Sequence, residues 1–195
     1  MTDDLLKKNT INALFWKFAE RFGISSVQFI LQIILARLLT PNDYGMLSIM
    51  IIFTNLSNVF IQNGFNTALI QKKDTTNEDY SSVFWLTLII SLFLYCILFL
   101  ISPIIASFYN MSEIIFPFRI LSLLIIPGAL NSIQIAVVSK KMNFKKIFQS
   151  NLFSIIISGI ISIVLAYLNM GIWALVFQSL LNVMISTIIM WFTVQ

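Results

Sequence analysis

Long apolar segments alternate with short polar connections along the whole chain, and six of them are long enough to form helices that cross a membrane. They cover residues 11–39, 46–70, 83–108, 114–138, 152–168 and 172–191. A bilayer core about 30 Å thick requires roughly 20 apolar residues per helix. The apolar runs are continuous rather than alternating, which favours helices over the strands of a barrel. The pattern therefore predicts an all-α integral membrane protein, a bundle of six transmembrane helices.

The composition and the placement of charge support this prediction. The chain is 58% hydrophobic and only 10% charged, whereas a soluble domain usually carries about 25% charged residues. The net charge of +4 does not indicate nucleic-acid binding, because the lysines cluster in connections on one side of the predicted spans. These lysines are Lys7, Lys8, Lys72, Lys73, Lys140, Lys141, Lys145 and Lys146. The positive-inside rule then predicts that both termini are cytoplasmic.

The residues needed for common catalytic and metal sites are missing from the sequence. Histidine is absent, and Cys96, the single cysteine, has no partner for a disulfide or a thiolate metal site. Paired carboxylates, glycine-rich phosphate loops and nucleophile–base sets are also missing. We therefore expect no enzyme activity, no cofactor and no metal.

Polar side chains recur every three or four residues along the first two spans, so each span carries a stripe about 80° wide. On the first span the stripe contains Lys17, Arg21, Ser25, Gln28 and Gln32. On the second span it contains Ser48, Asn55, Asn58, Gln62 and Asn66. One hypothesis is a hydrated, substrate-binding cavity with a cationic floor at Lys17 and Arg21. The alternatives are amides that only join helices and cations that extend to the lipid headgroups.

Two further charged residues have two interpretations each. Glu20 flanks the first stripe, where it is either an ion-coupling group or a partner of Lys17 at i, i+3. Arg119 either lines an outer vestibule or extends to the headgroups.

The remaining polar and special residues predict local features of the bundle. Pro127 followed by Gly128 predicts a kink in the fourth span. Pro41 predicts the end of the first helix, with Asn42 and Asp43 as candidate caps for the second. A weak repeat aligns the turns before Gly45 and Gly171. The last two spans also carry polar stripes. The stripe of the fifth span, which we assign to helix packing, contains Asn151, Ser154, Ser158 and Ser162. The stripe of the sixth span contains Gln178, Asn182 and Ser186.

Several segments resemble, in order, the polysaccharide transporter branch of the multidrug/oligosaccharidyl-lipid/polysaccharide (MOP) exporter superfamily, the Wzx-like flippases. The most specific is Leu35-Ala36-Arg37-Leu38-Leu39-Thr40-Pro41-Asn42-Asp43-Tyr44-Gly45, which is similar to the family's LARLLxPxDYG turn. Others are Glu20-Arg21-Phe22-Gly23, Lys140-Lys141-Met142-Asn143-Phe144 and Gly171-Ile172-Trp173-Ala174-Leu175-Val176. The resemblance covers essentially the whole chain.

The resemblance implies a flippase that moves undecaprenyl-pyrophosphate-linked oligosaccharide across the bacterial plasma membrane for cell-surface polysaccharide synthesis. It also implies a cationic cavity between two six-helix lobes, and it makes Arg21 the leading candidate for contacting the pyrophosphate. Family members have about 12 to 14 spans, so we expect residues 1–195 to be the N-terminal lobe only, either a fragment or a truncated form. The C-terminal lobe, or a partner subunit in its place, would then be missing. A multidrug or cation antiporter and a non-transporting subunit of a polysaccharide-synthesis complex are the alternatives.

Overall fold

The computed structural model describes residues 2–61, 77–140 and 144–194, and within them it is a bundle of long helices. A 3₁₀ turn at Ser112–Ile114 precedes α4. The α-helices are α1 (Thr2–Leu38), α2 (Pro41–Ile61), α3 (Asn77–Phe108), α4 (Ile115–Ser122), α5 (Ile125–Lys140), α6 (Phe144–Tyr167) and α7 (Ile172–Val194). Together α4 and α5 form one membrane span, so six helical segments are long and apolar enough to cross a bilayer. The predicted all-α, six-span class is confirmed.

The fourth span is broken at Leu123 and Leu124, one turn before Pro127. Pro127 has no N–H to donate to the Leu123 carbonyl, and its ring would clash with that carbonyl in a continuous helix. The helix therefore restarts at Ile125, and Pro127 lies in the first turn of α5, where no donor is needed. The predicted kink is present, but it precedes the proline instead of coinciding with it.

Three tight turns lie at one end of the bundle, which we call the turn end. Two of them close helices with the same motif: Asn110 and Asn169 adopt positive φ angles of 55° and 56°. Behind them Met111 N–H donates to the Ala106 carbonyl at 2.9 Å, and Met170 N–H donates to the Leu165 carbonyl at 3.1 Å. These are the hydrogen bonds of a Schellman cap, which satisfies the last carbonyls of a helix.

The third turn joins α1 to α2 through a reciprocal cap. Thr40 is the N-cap of α2, because its Oγ1 accepts the Asp43 N–H at 3.3 Å. The Asp43 carboxylate in return accepts the Thr40 N–H at 2.9 Å and the Thr40 hydroxyl at 2.7 Å. Pro41 occupies the first helical position. The prediction that Asn42 is a cap was therefore wrong, whereas Asp43 does stabilise this helix start. The first helix ends at Leu38, three residues before Pro41.

The main hydrophobic core lies toward the turn end and is shared by α1 to α7. Its fully buried members include Leu35, Met50, Phe118 and Leu175, and a smaller cluster of Val138, Ile147 and Met190 lies toward the opposite end. Within the described residues, α1 packs mainly along α6, whereas α2 packs against α3, α5 and α7. Consecutive helices α1 and α2 therefore separate after their turn, which leaves a cleft between them.

The small residues of α6 make this packing possible. Ser154, Ser158 and Ser162 are fully buried, and the Ser162 hydroxyl donates to the Ala174 carbonyl of α7 at 2.9 Å. Gly159 touches Leu31 of α1 so closely that a Cβ there would lie 2.5 Å from Leu31 Cδ1. The prediction that these serines serve helix packing is confirmed.

Candidate functional site

The cleft between α1 and α2 contains a cavity of about 160 Å³, which we call the amide cavity. Four helices, α1, α2, α6 and α7, contribute to its wall. Its lining residues are Gln28, Gln32, Leu35, Tyr44, Leu47, Ile51, Ile155, Ser158, Leu175, Gln178, Ser179 and Asn182. Gln28 and Gln32 are exposed, so they face open space rather than a sealed seam. None of these lining residues carries a charge.

The polar groups free to meet a ligand in the amide cavity are its amides. The two serine hydroxyls donate to the carbonyls of their own helices, Ser158 to Ile155 at 3.3 Å and Ser179 to Leu175 at 3.0 Å. Tyr44 also lines the cavity, and its hydroxyl is buried without a hydrogen-bond partner within the described residues. A buried hydroxyl without a partner is energetically costly.

A second, more open cavity of about 350 Å³ lies further along α1, toward its N-terminus; we call it the charged groove. Its lining residues are Lys17, Glu20, Arg21, Ile24, Ser25 and Asn151. Lys17 Nζ lies 3.4 Å from a Glu20 carboxylate oxygen, and Asn151 Nδ2 donates to the other oxygen at 3.4 Å. Arg21 is exposed and forms no ion pair within the described part of the chain. The groove therefore has one excess positive charge, presented by Arg21.

The two cavities lie along one polar stripe of α1. Arg21 in the charged groove and Gln28 in the amide cavity are two helical turns apart, about 10 Å at 1.5 Å per residue. The periodicity of Lys17, Arg21, Ser25, Gln28 and Gln32 predicted this shared face, and the structure places all five on a cavity.

The amides of α2 are placed differently from those of α1. Asn55 is exposed and Asn58 is half-buried, with its Oδ1 near Gly128 of α5, and neither lines the amide cavity or the charged groove. Gln62 and Asn66 lie outside the described residues. The role of all four residues as cavity lining stays a prediction.

Arg119 lies apart from both cavities, against α3. Its Nε donates to the Ser102 hydroxyl at 2.9 Å, and its guanidinium lies 4.1 Å from the centre of the Phe99 ring. A cation over an aromatic face is stabilised by the ring quadrupole. These contacts give Arg119 a place between α3 and α4, and its role in a vestibule stays a prediction.

Three residues that complete the site were not assigned to it from the sequence. Gln178 and Asn182 come from α7, and their spacing of four residues was the available signal. Tyr44 follows the α1–α2 turn, and only its position in the Asp43-Tyr44-Gly45 segment of the family motif could have singled it out.

A chain of polar side chains connects the charged groove to α5. Asn151 Nδ2 contacts Glu20, Asn151 Oδ1 accepts from the Ser186 hydroxyl at 3.0 Å, and Asn131 Nδ2 donates to the Ser186 hydroxyl oxygen at 3.2 Å. The chain thus spans α1, α6, α7 and α5. The stripe of α7 therefore divides, with Gln178 and Asn182 on the amide cavity and Ser186 in this interhelical network.

Comparison with known proteins identifies the type of molecule that carries these cavities. A family model described as "Polysaccharide biosynthesis protein" matches residues 34–195. The succinoglycan biosynthesis transport protein ExoT of Rhizobium meliloti is 26% identical over 95% of this chain and 37% of its own length. The teichuronic acid biosynthesis protein TuaB of Bacillus subtilis is 24% identical over 78% of this chain and 32% of its own length.

A third relative is an uncharacterised membrane protein in the cps region of Klebsiella pneumoniae, 25% identical over 96% of this chain and 39% of its own length. The chain thus spans between about a third and two fifths of the length of these curated relatives. No solved structure matches it.

Proposed function

This chain belongs to the polysaccharide biosynthesis protein family, and we propose that it forms one lobe of a flippase for lipid-linked oligosaccharides. The proposed substrate is an undecaprenyl-pyrophosphate-linked oligosaccharide, carried across the bacterial plasma membrane for surface polysaccharide synthesis. Both termini would be cytoplasmic, which fits the lysines on one side of the spans. The observation that carries the proposal is that the charged groove and the amide cavity follow one another along one face of α1.

The chemistry of the two cavities fits the two parts of such a headgroup. An exposed Arg21 beside Lys17 suits a pyrophosphate, because a guanidinium donates two parallel hydrogen bonds to phosphate oxygens. Amides suit sugar hydroxyls, because each amide both donates and accepts. The polyprenyl tail would stay in the lipid while the polar headgroup moves through the cleft. The names of the succinoglycan and teichuronic acid relatives support a polysaccharide substrate.

A second lobe would supply the opposite wall of the passage. The cleft is open on one side of the described bundle, where Gln28 and Gln32 of α1 are exposed. Transporters built from two repeats move one lobe against the other about a central site. We propose that a C-terminal lobe or a partner subunit closes the cleft in this way.

The antiporter alternative depends on carboxylates that could couple ion flow to transport. Among the residues that the structure describes, Glu20 is the only carboxylate that lines either cavity, and it already pairs with Lys17 and Asn151. The geometry therefore favours a structural pairing of Glu20 over an ion site. A non-transporting subunit has no use for an unpaired arginine in an open groove, so the flippase is the better-supported function.

Substitution of Arg21 tests the proposal. We expect Arg21→Ala in the chromosomal gene to lower surface polysaccharide by about 10- to 100-fold, because a hydrogen bond to a charged group contributes about 1.5–3 kcal/mol. Polysaccharide on intact cells and protein in the membrane fraction are measured together. Arg37→Ala is the matched control, since Arg37 is an exposed arginine near the other end of α1. Normal export by the Arg21 variant at an unchanged protein level would refute the assignment.

A further inference from the structure

We propose that the amide cavity binds one electrically neutral sugar ring of the lipid-linked headgroup and discriminates against sugars that carry a carboxylate. This inference rests on the proposed flippase function and adds the class of sugar that the site accepts. It is carried by the size, the hydrogen-bonding groups and the lack of charge of the cavity.

The size of the cavity corresponds to a single ring. Its volume is about 160 Å³, and an engineered protein cavity of roughly 150 Å³ accommodates one benzene molecule. A six-membered sugar ring is therefore of the right order of size, whereas two rings would exceed the space. The rest of an oligosaccharide would extend into the open side of the cleft, where Gln28 and Gln32 are exposed.

The lining offers both kinds of contact that a sugar ring makes. Gln178 and Asn182 of α7 oppose Gln28 and Gln32 of α1, so amide donors and acceptors reach the cavity from two sides. The ring of Tyr44 also lines the cavity. Between the polar groups lie aliphatic side chains that can pack against the C–H face of a ring; they are Leu35, Leu47, Ile51, Ile155 and Leu175.

The lack of a cation in the lining sets the preference for neutral sugars. A carboxylate that enters the cavity loses part of its hydration, and none of the lining residues can form an ion pair with it. The nearest cation described on the same helix face is Arg21, about two turns away and reserved for the pyrophosphate in this proposal. A neutral ring replaces its water contacts with amides at little loss.

Binding of three lipid probes to the purified full chain in detergent tests this assignment. The probes are farnesyl pyrophosphate, farnesyl-pyrophosphate-linked N-acetylglucosamine and farnesyl-pyrophosphate-linked glucuronic acid. We expect the N-acetylglucosamine probe to bind about tenfold more tightly than the sugar-free probe, as two or three net hydrogen bonds would give. The glucuronic acid probe is expected to show no such gain.

Variants separate the two cavities. The double variant Gln178→Leu, Asn182→Leu is expected to abolish the gain from N-acetylglucosamine without changing the affinity for sugar-free farnesyl pyrophosphate. Arg21→Ala is expected to weaken all three probes equally. If the α7 variant does not give a monodisperse protein, Gln28→Leu with Gln32→Leu tests the same cavity from α1.

Each contrary result has a distinct meaning. Equal binding of the sugar-free and neutral-sugar probes, or an equal gain with glucuronic acid, overturns this inference while leaving the proposed function intact. A gain from N-acetylglucosamine that survives in both double variants also overturns it. Failure of all three probes to bind overturns the proposed function and this inference with it.

Discussion

Gly171 holds a left-handed backbone conformation, with φ at +52°, directly beside the Asp43 carboxylate. A Cβ at this position would lie 3.0 Å from Asp43 Oδ1. The carboxylate cannot move away freely, because its other oxygen, Oδ2, accepts two hydrogen bonds from Thr40. The weak sequence repeat aligns Gly171 with Gly45, but Gly45 is helical and has open space around it. The two glycines therefore have different physical roles, and only Gly171 is required by the backbone.

Exchanging each glycine for alanine separates these roles. We expect Gly171→Ala to lower the free energy of unfolding by about 1–3 kcal/mol, because a non-glycine residue is strained there and its Cβ would press on Asp43. Gly45→Ala, the matched control, should leave stability unchanged or raise it by up to about 1 kcal/mol, as alanine is the better helix former. Thermal unfolding in detergent measures both. Equal effects of the two substitutions would contradict this account.

At the residue scale, the sequence showed which polar residues of α1 share one face, but not which side of the other helices lies opposite that face. The five polar residues of α1 share one face at a simple helical period, and no neighbour is needed to see it. Asn58 of α2 instead approaches Gly128 of α5, because contacts between distant helices decide which side of α2 faces the cavity. Tyr44 was not assigned to the cavity, since the pattern of its own helix does not show which other helices pack around its side chain.

At the scale of elements, the tightest contact between α1 and α6 that a glycine makes possible lies at Gly159. Gly159 of α6 leaves room for the Leu31 side chain, and a Cβ on Gly159 would meet three Leu31 atoms at 2.5, 2.7 and 3.2 Å. Leu31 is buried, so its side chain has little space into which it can move. This contact keeps the α1 stripe, and hence both cavities, in register with α6.

Enlarging Gly159 should therefore separate the two helices. We expect Gly159→Val to destabilise the chain by about 1–3 kcal/mol through overpacking, and to lower binding of farnesyl pyrophosphate because Arg21 is displaced. Adding Leu31→Ala to the same chain should recover part of both losses, since it removes the clashing atoms. Unfolding midpoints and probe affinity of the single and double variants provide the measurement. An unaffected single variant would show that the α1–α6 contact is looser than described.

The helices themselves were predictable from hydrophobic length, but their ends were not. The fifth predicted span began at residue 152, whereas α6 begins at Phe144, because its first turns carry Lys145 and Lys146 and do not look apolar. The break at Leu123 likewise precedes the proline that causes it, since the steric conflict acts on the carbonyl four residues earlier. The hydropathy pattern detects only the apolar part of a helix, so it misses polar first turns and does not show where a proline interrupts the helix.

For the whole molecule, helices that cross the bilayer require that the turn end and the opposite end lie on different sides of the membrane, and an even number of spans places both termini on the same side. In a background with Cys96 replaced by alanine, we expect Asn110→Cys to react with a membrane-impermeant thiol reagent in intact cells. Glu78→Cys, exposed in the first turn of α3, should react only after permeabilisation. Labelling of both positions in intact cells would refute the six-span arrangement and the cytoplasmic placement of the termini.

The preference of α1 for α6 over its neighbour α2 has a consequence for how the protein is made. Because α6 begins roughly 100 residues after α1 ends, the ribosome needs about 5–20 s to produce the partner of the first helix. During that interval the nascent first helix carries Lys17, Glu20 and Arg21 without Asn151, which later joins Glu20. Until α6 is synthesised, the protein's own bundle cannot accommodate those charges. The insertion machinery or the lipid headgroups must do so instead.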